Sequence, residues 1–398
     1  MCRQVRNIND QHLKYTLTMK ITILLLAFAL ISGFVGAQQK PDPSLQKPVV
    51  TSVKDGLNWY DLQKQLAPIL QGVAWNEELK GTFGRLPLRA KEKVRPDVWG
   101  LSEDCAGISV RFRTNASEIK VFYQVSKTNS FQHMPSTGVS GLDLYTTDEN
   151  GKAVWSAGGY SFGDTIKYKF NNLTSYPTGS KEREYQLFLP LYNHVKWMEI
   201  GLPKDAELSW VAPSAEKPIL VYGTSIAQGG CASRPGMAWT GILNRELPYP
   251  LINLGFSGNG MLEKEVLNFI NEIDARLYIL DCLPNLVSRS SEEIETATLN
   301  AVRQIRTLRQ SPILLVDHVG YTDGFVDKKK YDDYHRANIA SKKAYDQLLK
   351  EGVQNIFYLT YEEINMPMDG MVDGIHPTDY GMRAYADAYE KIIRKILQ

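Results

Sequence analysis

Cysteine is scarce in this 398-residue chain: there are four, and one, Cys2, sits at the extreme N-terminus. So few thiols exclude the disulfide framework that staples small secreted domains. Cys231 and Cys282 either pair or stay as thiols, because spacing does not give the geometry a bridge needs. An excess of charge is missing too. The chain has 45 Lys+Arg against 44 Asp+Glu, a formal net charge of +1, and its basic residues are scattered rather than blocked. No nucleic-acid partner is expected from such a distribution. Internal repeats and low-complexity segments are absent. Beyond the N-terminal segment no long apolar run occurs.

The N-terminus carries a recognisable order. Lys20 precedes the apolar run Ile21–Ile31, and the small residues Gly33, Gly36 and Ala37 follow before Gln38. A charged, then apolar, then small-residue order is that of a secretory signal peptide. The run is shorter than the roughly 20 apolar residues that span a bilayer. We expect a leader over residues 1–37, with Met19 as a possible true start and residues 1–18 an over-extended beginning. Removing it takes away four basic residues and one acidic residue, leaving 41 and 43 and a charge of −2. The expected product is periplasmic or extracellular, without stable membrane insertion.

Two halves follow with different rhythms. Between residues 50 and 210, Ile108–Arg113, Ile119–Val125, Leu142–Tyr145 and Glu184–Leu189 alternate apolar and polar residues, with turn-forming clusters such as Asp148-Glu149-Asn150-Gly151 between. This pattern predicts an antiparallel β-sandwich. Pro203–Lys217 reads as the linker. From 217 to 398, short apolar strands alternate with amphipathic helices. The strands are expected at Ile219–Tyr222, Pro250–Leu254, Leu277–Leu280, Ile313–Val316 and Ile356–Leu359. Helices are expected at Met237–Leu247, Leu262–Ile273, Glu292–Arg309, Tyr334–Glu351 and Asp379–Leu397. Alternation of this kind predicts an α/β fold with a parallel sheet covered on both faces. Its ligands sit outside the carboxyl ends of the strands.

The loops after those strands hold the chemistry. The first strand runs into Gly223-Thr224-Ser225-Ile226-Ala227-Gln228-Gly229-Gly230. A phosphate-binding loop is the competing reading, but no Gly-Lys-Ser/Thr and no Gly-x-Gly-x-x-Gly follows. The last loop supplies Asp373-Gly374-Ile375-His376-Pro377. A nucleophilic serine needs a base, and the base needs an orienting group; Asp373 and His376 can provide both. A helix N-cap explains Thr378 and Asp379 but not the Asp-x-x-His pair. After the second strand comes Gly255-Phe256-Ser257-Gly258-Asn259-Gly260, and after the third Asp281-Cys282-Leu283-Pro284-Asn285. A glycine loop and an asparagine are suited to donate to a developing oxyanion.

Taken in order, these blocks resemble the SGNH hydrolases, or GDSL esterases. Ser225 matches the first-block serine, Gly258 the second-block glycine, Asn285 the third-block asparagine, and Asp373 with His376 the last pair. Two blocks depart from the common wording: Gly-Thr-Ser-Ile stands for Gly-Asp-Ser-Leu, and Cys-Leu-Pro-Asn for Gly-x-Asn-Asp. Gly141-Leu142-Asp143-Leu144-Tyr145 resembles the Gly-x-Asp-Leu-Tyr domain that precedes a subset of these hydrolases. The resemblance implies a flavodoxin-like three-layer domain with five parallel strands. It also implies an oxyanion hole from the Ser225 and Gly258 N–H groups and the Asn285 side chain, with no metal and no cofactor. The expected reaction is hydrolysis of an ester, most simply an acetylated carbohydrate, through an acyl-enzyme. A general short-chain acyl or thioester hydrolase and a non-catalytic carbohydrate-binding protein are the rivals.

Other residues are weighed singly. Arg234 either reaches a polar substrate or is a solvated loop residue. His318 is read as structural or rim-lining, and His133, His194 and His335 as surface or core residues without partners. Trp59, Tyr60, Trp75 and Trp99 are read as core aromatics rather than sugar platforms.

Overall fold

The computed structural model describes residues 44–173 and 182–398, so the expected leader lies outside the described residues. In the N-terminal half, alternation of side chains becomes alternation of burial. In the strand Ile166–Phe170, Ile166, Tyr168 and Phe170 are buried while Lys167 and Lys169 face water. Strands of this kind form two antiparallel sheets. The first joins Leu45–Gln46, Leu208–Val211, Ser109–Thr114, Arg183–Phe188, Asp143–Thr147 and Ala153–Ser156 in that order, with Leu70–Gln71 also on Ser109–Thr114. The second joins Ser52–Lys54, Leu57–Asp61, Val195–Pro203, Ile119–Val125, Ile166–Phe170 and Gly159–Ser161. Trp59, Tyr60 and Trp75 are buried, and Trp99 packs against the core. The expected linker is corrected in part. Leu208–Val211 is a strand, because Leu208 and Trp210 are buried and the Trp210 indole N–H donates to Gln65 Oε1 at 2.9 Å.

The C-terminal half is a parallel sheet of five strands: β1 (Ile219–Gly223), β2 (Leu251–Gly255), β3 (Leu277–Asp281), β4 (Ile313–Val316) and β5 (Ile356–Leu359). Their spatial order is β2-β1-β3-β4-β5. The first three are buried throughout, which is why they read as continuous apolar runs. Parity sorts them between the two faces. Leu220, Tyr222, Tyr278, Leu280 and Leu315 pack with α3 (Lys264–Ile270), α4 (Ser291–Arg306) and α5 (Lys328–Lys350). Ile219, Val221, Leu277, Ile279, Leu314 and Val316 pack with α2 (Trp239–Glu246) and α6 (Asp379–Leu397), where Trp239 stacks on Tyr389 at 4.2 Å. A single turn of helix, α1 (Ser225–Gln228), leaves β1 directly. Among the described residues no helix is long and apolar enough to cross a membrane.

Residues Leu45–Gln398 form one compact unit. The two halves are joined by a buried charge. Arg85, from the N-terminal half, is 2% exposed. Its guanidinium donates to the carbonyls of Gly255 at 2.6 Å, Asn253 at 3.2 Å, Leu101 at 2.6 Å and Asp104 at 2.8 Å. It also lies over the Phe256 ring, 5.0 Å from its centroid. Burial lowers its pKa to about 10, against the pull of Asp104, so the group remains charged at neutral pH. A fixed cation surrounded by carbonyls is geometrically demanding, and here it pins the end of β2. Replacing Arg85 with Met leaves four carbonyls short of a donor and is expected to cost on the order of 3–5 kcal/mol. The midpoint of urea unfolding reads this directly.

Candidate active site

A parallel strand that runs straight into a helix leaves the first helical residue at the sheet's carboxyl edge. Ser225 occupies that position between β1 and α1. Thr224 is the N-cap, its hydroxyl accepting from the Ile226 N–H at 3.3 Å. The Ser225 carbonyl is held by the N–H groups of Gly229 (3.0 Å) and Gly230 (2.7 Å) and by the Tyr192 hydroxyl (3.1 Å). Gly229 closes α1 at φ +108°, where a side chain would be strained.

The Asp373–His376 loop is a locked turn. The Val372 N–H donates to His376 O at 2.8 Å and the Thr378 N–H to Gly370 O at 2.8 Å. Thr378 caps α6, accepting from Gly381 N–H at 3.3 Å. One Asp373 oxygen accepts from the backbone N–H groups of His376 (2.9 Å) and Ile375 (3.2 Å), and the other contacts His376 Nδ1 at 2.7 Å. Partial burial opposes the charge on Asp373, but these hydrogen bonds outweigh it and hold the carboxyl below its ordinary pKa. On the opposite side of the imidazole, Nε2 lies 2.8 Å from Ser225 Oγ. A hydroxyl, an imidazole and an ionised carboxylate are thus joined in series, an arrangement suited to moving the serine proton as the oxygen attacks.

Three more N–H groups lie at the start of α1 and on the loops after the neighbouring strands β2 and β3. The β2 loop is tied to β1 by Phe256 N–H to Gly223 O (2.9 Å), and Gly260 admits no side chain because a Cβ would meet Gly223 O at 2.3 Å. Gly258 stands at φ +68° with open space beside it. Asn285 ends a short turn after β3, and its Oδ1 accepts from Gly260 N–H at 3.0 Å. That bond turns the amide so that Nδ2 points away from Gly260. Among the described residues, the Ser225 N–H, the Gly258 N–H and Asn285 Nδ2 find no protein acceptor. They sit on loops that follow three adjacent strands, β1, β2 and β3.

A cleft of about 620 Å³ opens at His376. Gly230, Ser257, Asn259 and His376 line one side, and Lys127, Phe131, His133 and Tyr192 of the N-terminal half line the other.

Comparison with known proteins places this geometry. Residues 216–394 match the GDSL-like lipase/acylhydrolase family, and residues 57–208 match the N-terminus of SGNH-hydrolase-type esterases. A Bacteroides ovatus ATCC 8483 protein described as GDSL-like lipase is 32% identical, with 86% of this chain and 98% of that one covered and a TM-score of 0.78. The chain belongs to the GDSL/SGNH esterase family. The fold is shared more distantly with the salicylyl-acyltransferase SsfX3 of a tetracycline biosynthetic pathway, at 19% identity, 89% and 96% coverage and TM-score 0.61. It is also shared with a family two carbohydrate esterase from Cellvibrio japonicus, at 13% identity, 89% and 96% coverage and TM-score 0.52. No curated protein matches the chain.

The structure brings Ser225, His376 and Asp373 of this family member into contact, and decides the readings left open for other residues. Arg234 does not line the cleft at His376. Its guanidinium donates to Asp143 Oδ2 (2.9 Å) and the Tyr145 hydroxyl (2.5 Å) and lies over the Trp155 ring, 4.2 Å from its centroid. Asp143 accepts as well from the Gly236 N–H (2.7 Å) and the Trp155 indole (3.0 Å). The Gly-x-Asp-Leu-Tyr motif therefore docks the N-terminal half onto the loop that follows Ser225. Cys231 and Cys282 are free and buried, as is Cys105, so no bridge joins the loops. His318 is buried and held neutral, its pKa pushed down by burial to about 3, with Nδ1 accepting from Gly320 N–H at 2.9 Å. Asp379 is more than a helix-capping residue: its carboxylate binds the Ser233 N–H (2.8 Å) and hydroxyl (2.5 Å), tying α6 to the serine's loop.

Several site residues carry no local sequence signal. His133 lies 5.9 Å, centroid to centroid, from His376. Asp104, 1% exposed, accepts from Lys127 Nζ at 2.5 Å and from Gln228 Nε2 at 3.2 Å. Burial raises its pKa, against the pull of Lys127 and Arg85. The other end of the Gln228 amide accepts from the Ser257 N–H at 3.0 Å, one residue before Gly258. A chain of fixed dipoles thus runs from the N-terminal half to the glycine turn. In Asp104→Asn an amide NH₂ must face either Lys127 or Gln228, both donors. We expect kcat on a short acyl ester to fall about tenfold with KM within about twofold of the parent. An unchanged kcat would show that Gln228 holds the turn unaided.

Proposed function

We propose that this GDSL/SGNH family member is an exported serine esterase that removes acyl groups, acetyl foremost, from carbohydrates. One observation carries the reading: Ser225 Oγ lies 2.8 Å from His376 Nε2 while His376 Nδ1 lies 2.7 Å from Asp373. His376 takes the hydroxyl proton as Ser225 Oγ bonds to the ester carbonyl carbon. The carbonyl oxygen gains the negative charge and receives the Ser225 N–H, the Gly258 N–H and Asn285 Nδ2. His376 returns the proton to the alcohol oxygen as the C–O bond breaks, leaving an acyl-serine. Water, deprotonated by the same imidazole, then releases the acid and restores the serine. Asp373 stabilises the imidazolium in both halves and stays ionised. Its depressed pKa supports this, since the carboxylate keeps its charge at the pH values where the imidazole is neutral.

Carbohydrate is the favoured alcohol for two reasons. The cleft holds far more than an acetyl group and is lined by both polar and aromatic side chains. Carbohydrate esterases share the fold. Export is favoured by the Lys20, Ile21–Ile31, Ala37 order.

Ser225→Ala is expected to lower turnover of 4-nitrophenyl acetate by at least about 10⁴-fold with an unchanged circular dichroism spectrum, and Asn285→Ala to lower kcat about 100-fold. Esterase activity that survives the serine change would end the mechanism. Acetate release from an acetylated-glycan panel tests the substrate class. Secretion in a bacterial host, followed by N-terminal sequencing, is expected to give a mature chain beginning at Gln38.

A further inference from the structure

The wall of the cleft opposite Ser257 and Asn259 is a turn from the N-terminal half, residues 127–134. It is built rigidly. The buried Asn193 side chain accepts from the Lys127 N–H at 2.9 Å and donates to Thr128 O (2.9 Å) and Ser140 Oγ (2.8 Å). Ser140 Oγ donates in turn to Asn129 O at 3.0 Å. Phe131 and Met134 exchange both backbone hydrogen bonds, at 3.0 and 3.3 Å.

What this turn presents is a row of aromatic rings. The rings of Phe131 and His133 are stacked, with centroids 6.2 Å apart and planes 20° from parallel. His133 continues toward His376, 5.9 Å away at 32°. Phe131 is buttressed edge-on by Tyr192 at 5.7 Å, whose hydroxyl donates to the Ser225 carbonyl. Phe131 is half-buried and His133 is exposed, so neither ring is consumed by the core.

We propose that Phe131 and His133 form the subsite for the alcohol half of the ester, and that this alcohol is a pyranose ring packing against these rings where they line the cleft. A pyranose has a C–H-rich face whose partial positive charge complements the negative face of an aromatic ring. Its hydroxyls project at the edge, where Lys127 and Asn259 line the same cleft. A flexible alkyl alcohol offers no such face. Because the turn is held in place before binding, little ordering cost attaches to using it. The assignment rests on the reading of Ser225 and His376 as the reacting pair acting on carbohydrate esters.

The test compares kcat/KM for an acetylated methyl pyranoside with that for ethyl acetate, using the purified full chain. In Phe131→Leu and in His133→Ala the pyranoside-to-ethyl-acetate ratio is expected to fall about tenfold, mainly through KM, whereas Phe131→Trp keeps it. His133 is exposed, so its removal does not endanger the fold should Phe131→Leu prove unstable. A ratio that moves by less than about threefold in both variants, or equal losses on the two substrates, overturns the subsite. An unmodified enzyme that turns over ethyl acetate but no acetylated sugar ends the carbohydrate reading instead, and that result is read before any variant is made.

Discussion

A guanidinium buried among backbone carbonyls is the contact on which the rest of the molecule depends. Arg85 joins the N-terminal half to the last residues of β2, where the glycine turn begins. Among the described residues no carboxylate shares its hydrogen bonds; Asp104 attracts its charge from nearby, but its position is set by where the carbonyls stand. Any sliding of one half past the other would strand a charge away from water, and the two halves therefore have one mutual position. The cleft at His376, with walls from both, inherits that position.

This makes the N-terminal sandwich part of the active site rather than an attachment to it. Tyr192 supports the serine's carbonyl, Asp104 acts through Gln228 on the turn before Gly258, and Asp143 grips the loop beyond Gly229. Tyr192 and Asp104 hold the two ends of α1, and Asp143 holds the loop that follows it. Gly236 is part of the same fit: a Cβ there would meet the Tyr145 ring at 2.4 Å. The small residue lets the two surfaces close.

Much of this was legible in the chain where physics is local. Five apolar runs separated by helical periodicity gave the parallel sheet, and Asp373 with His376 stood three residues apart on one loop. What was not legible depends on distant partners. Arg85 and Gly255 are 170 positions apart, and Arg234 and Asp143 are 91 apart, so an arginine in a loop read as solvated or substrate-facing. His133 showed no partner because its neighbour is His376. Local polarity also misled: α5 begins at Lys328 rather than Tyr334, since the charged stretch is helical, capped by Asp327 and laced by Lys328–Asp332 and Lys329–Asp333 pairs.

The placement of Asp373 and His376 on a single locked turn has a wider consequence. Base and orienting carboxylate move together as one small rigid body, whatever the rest of the chain does. The architecture is therefore left with a single separation to guard, that between this body and the start of α1. Gradual loosening of the seam between α6 and the serine's loop, where Asp379 meets Ser233, would disconnect the proton path while both partners stayed individually intact. Heat inactivation in such a protein is free to precede melting.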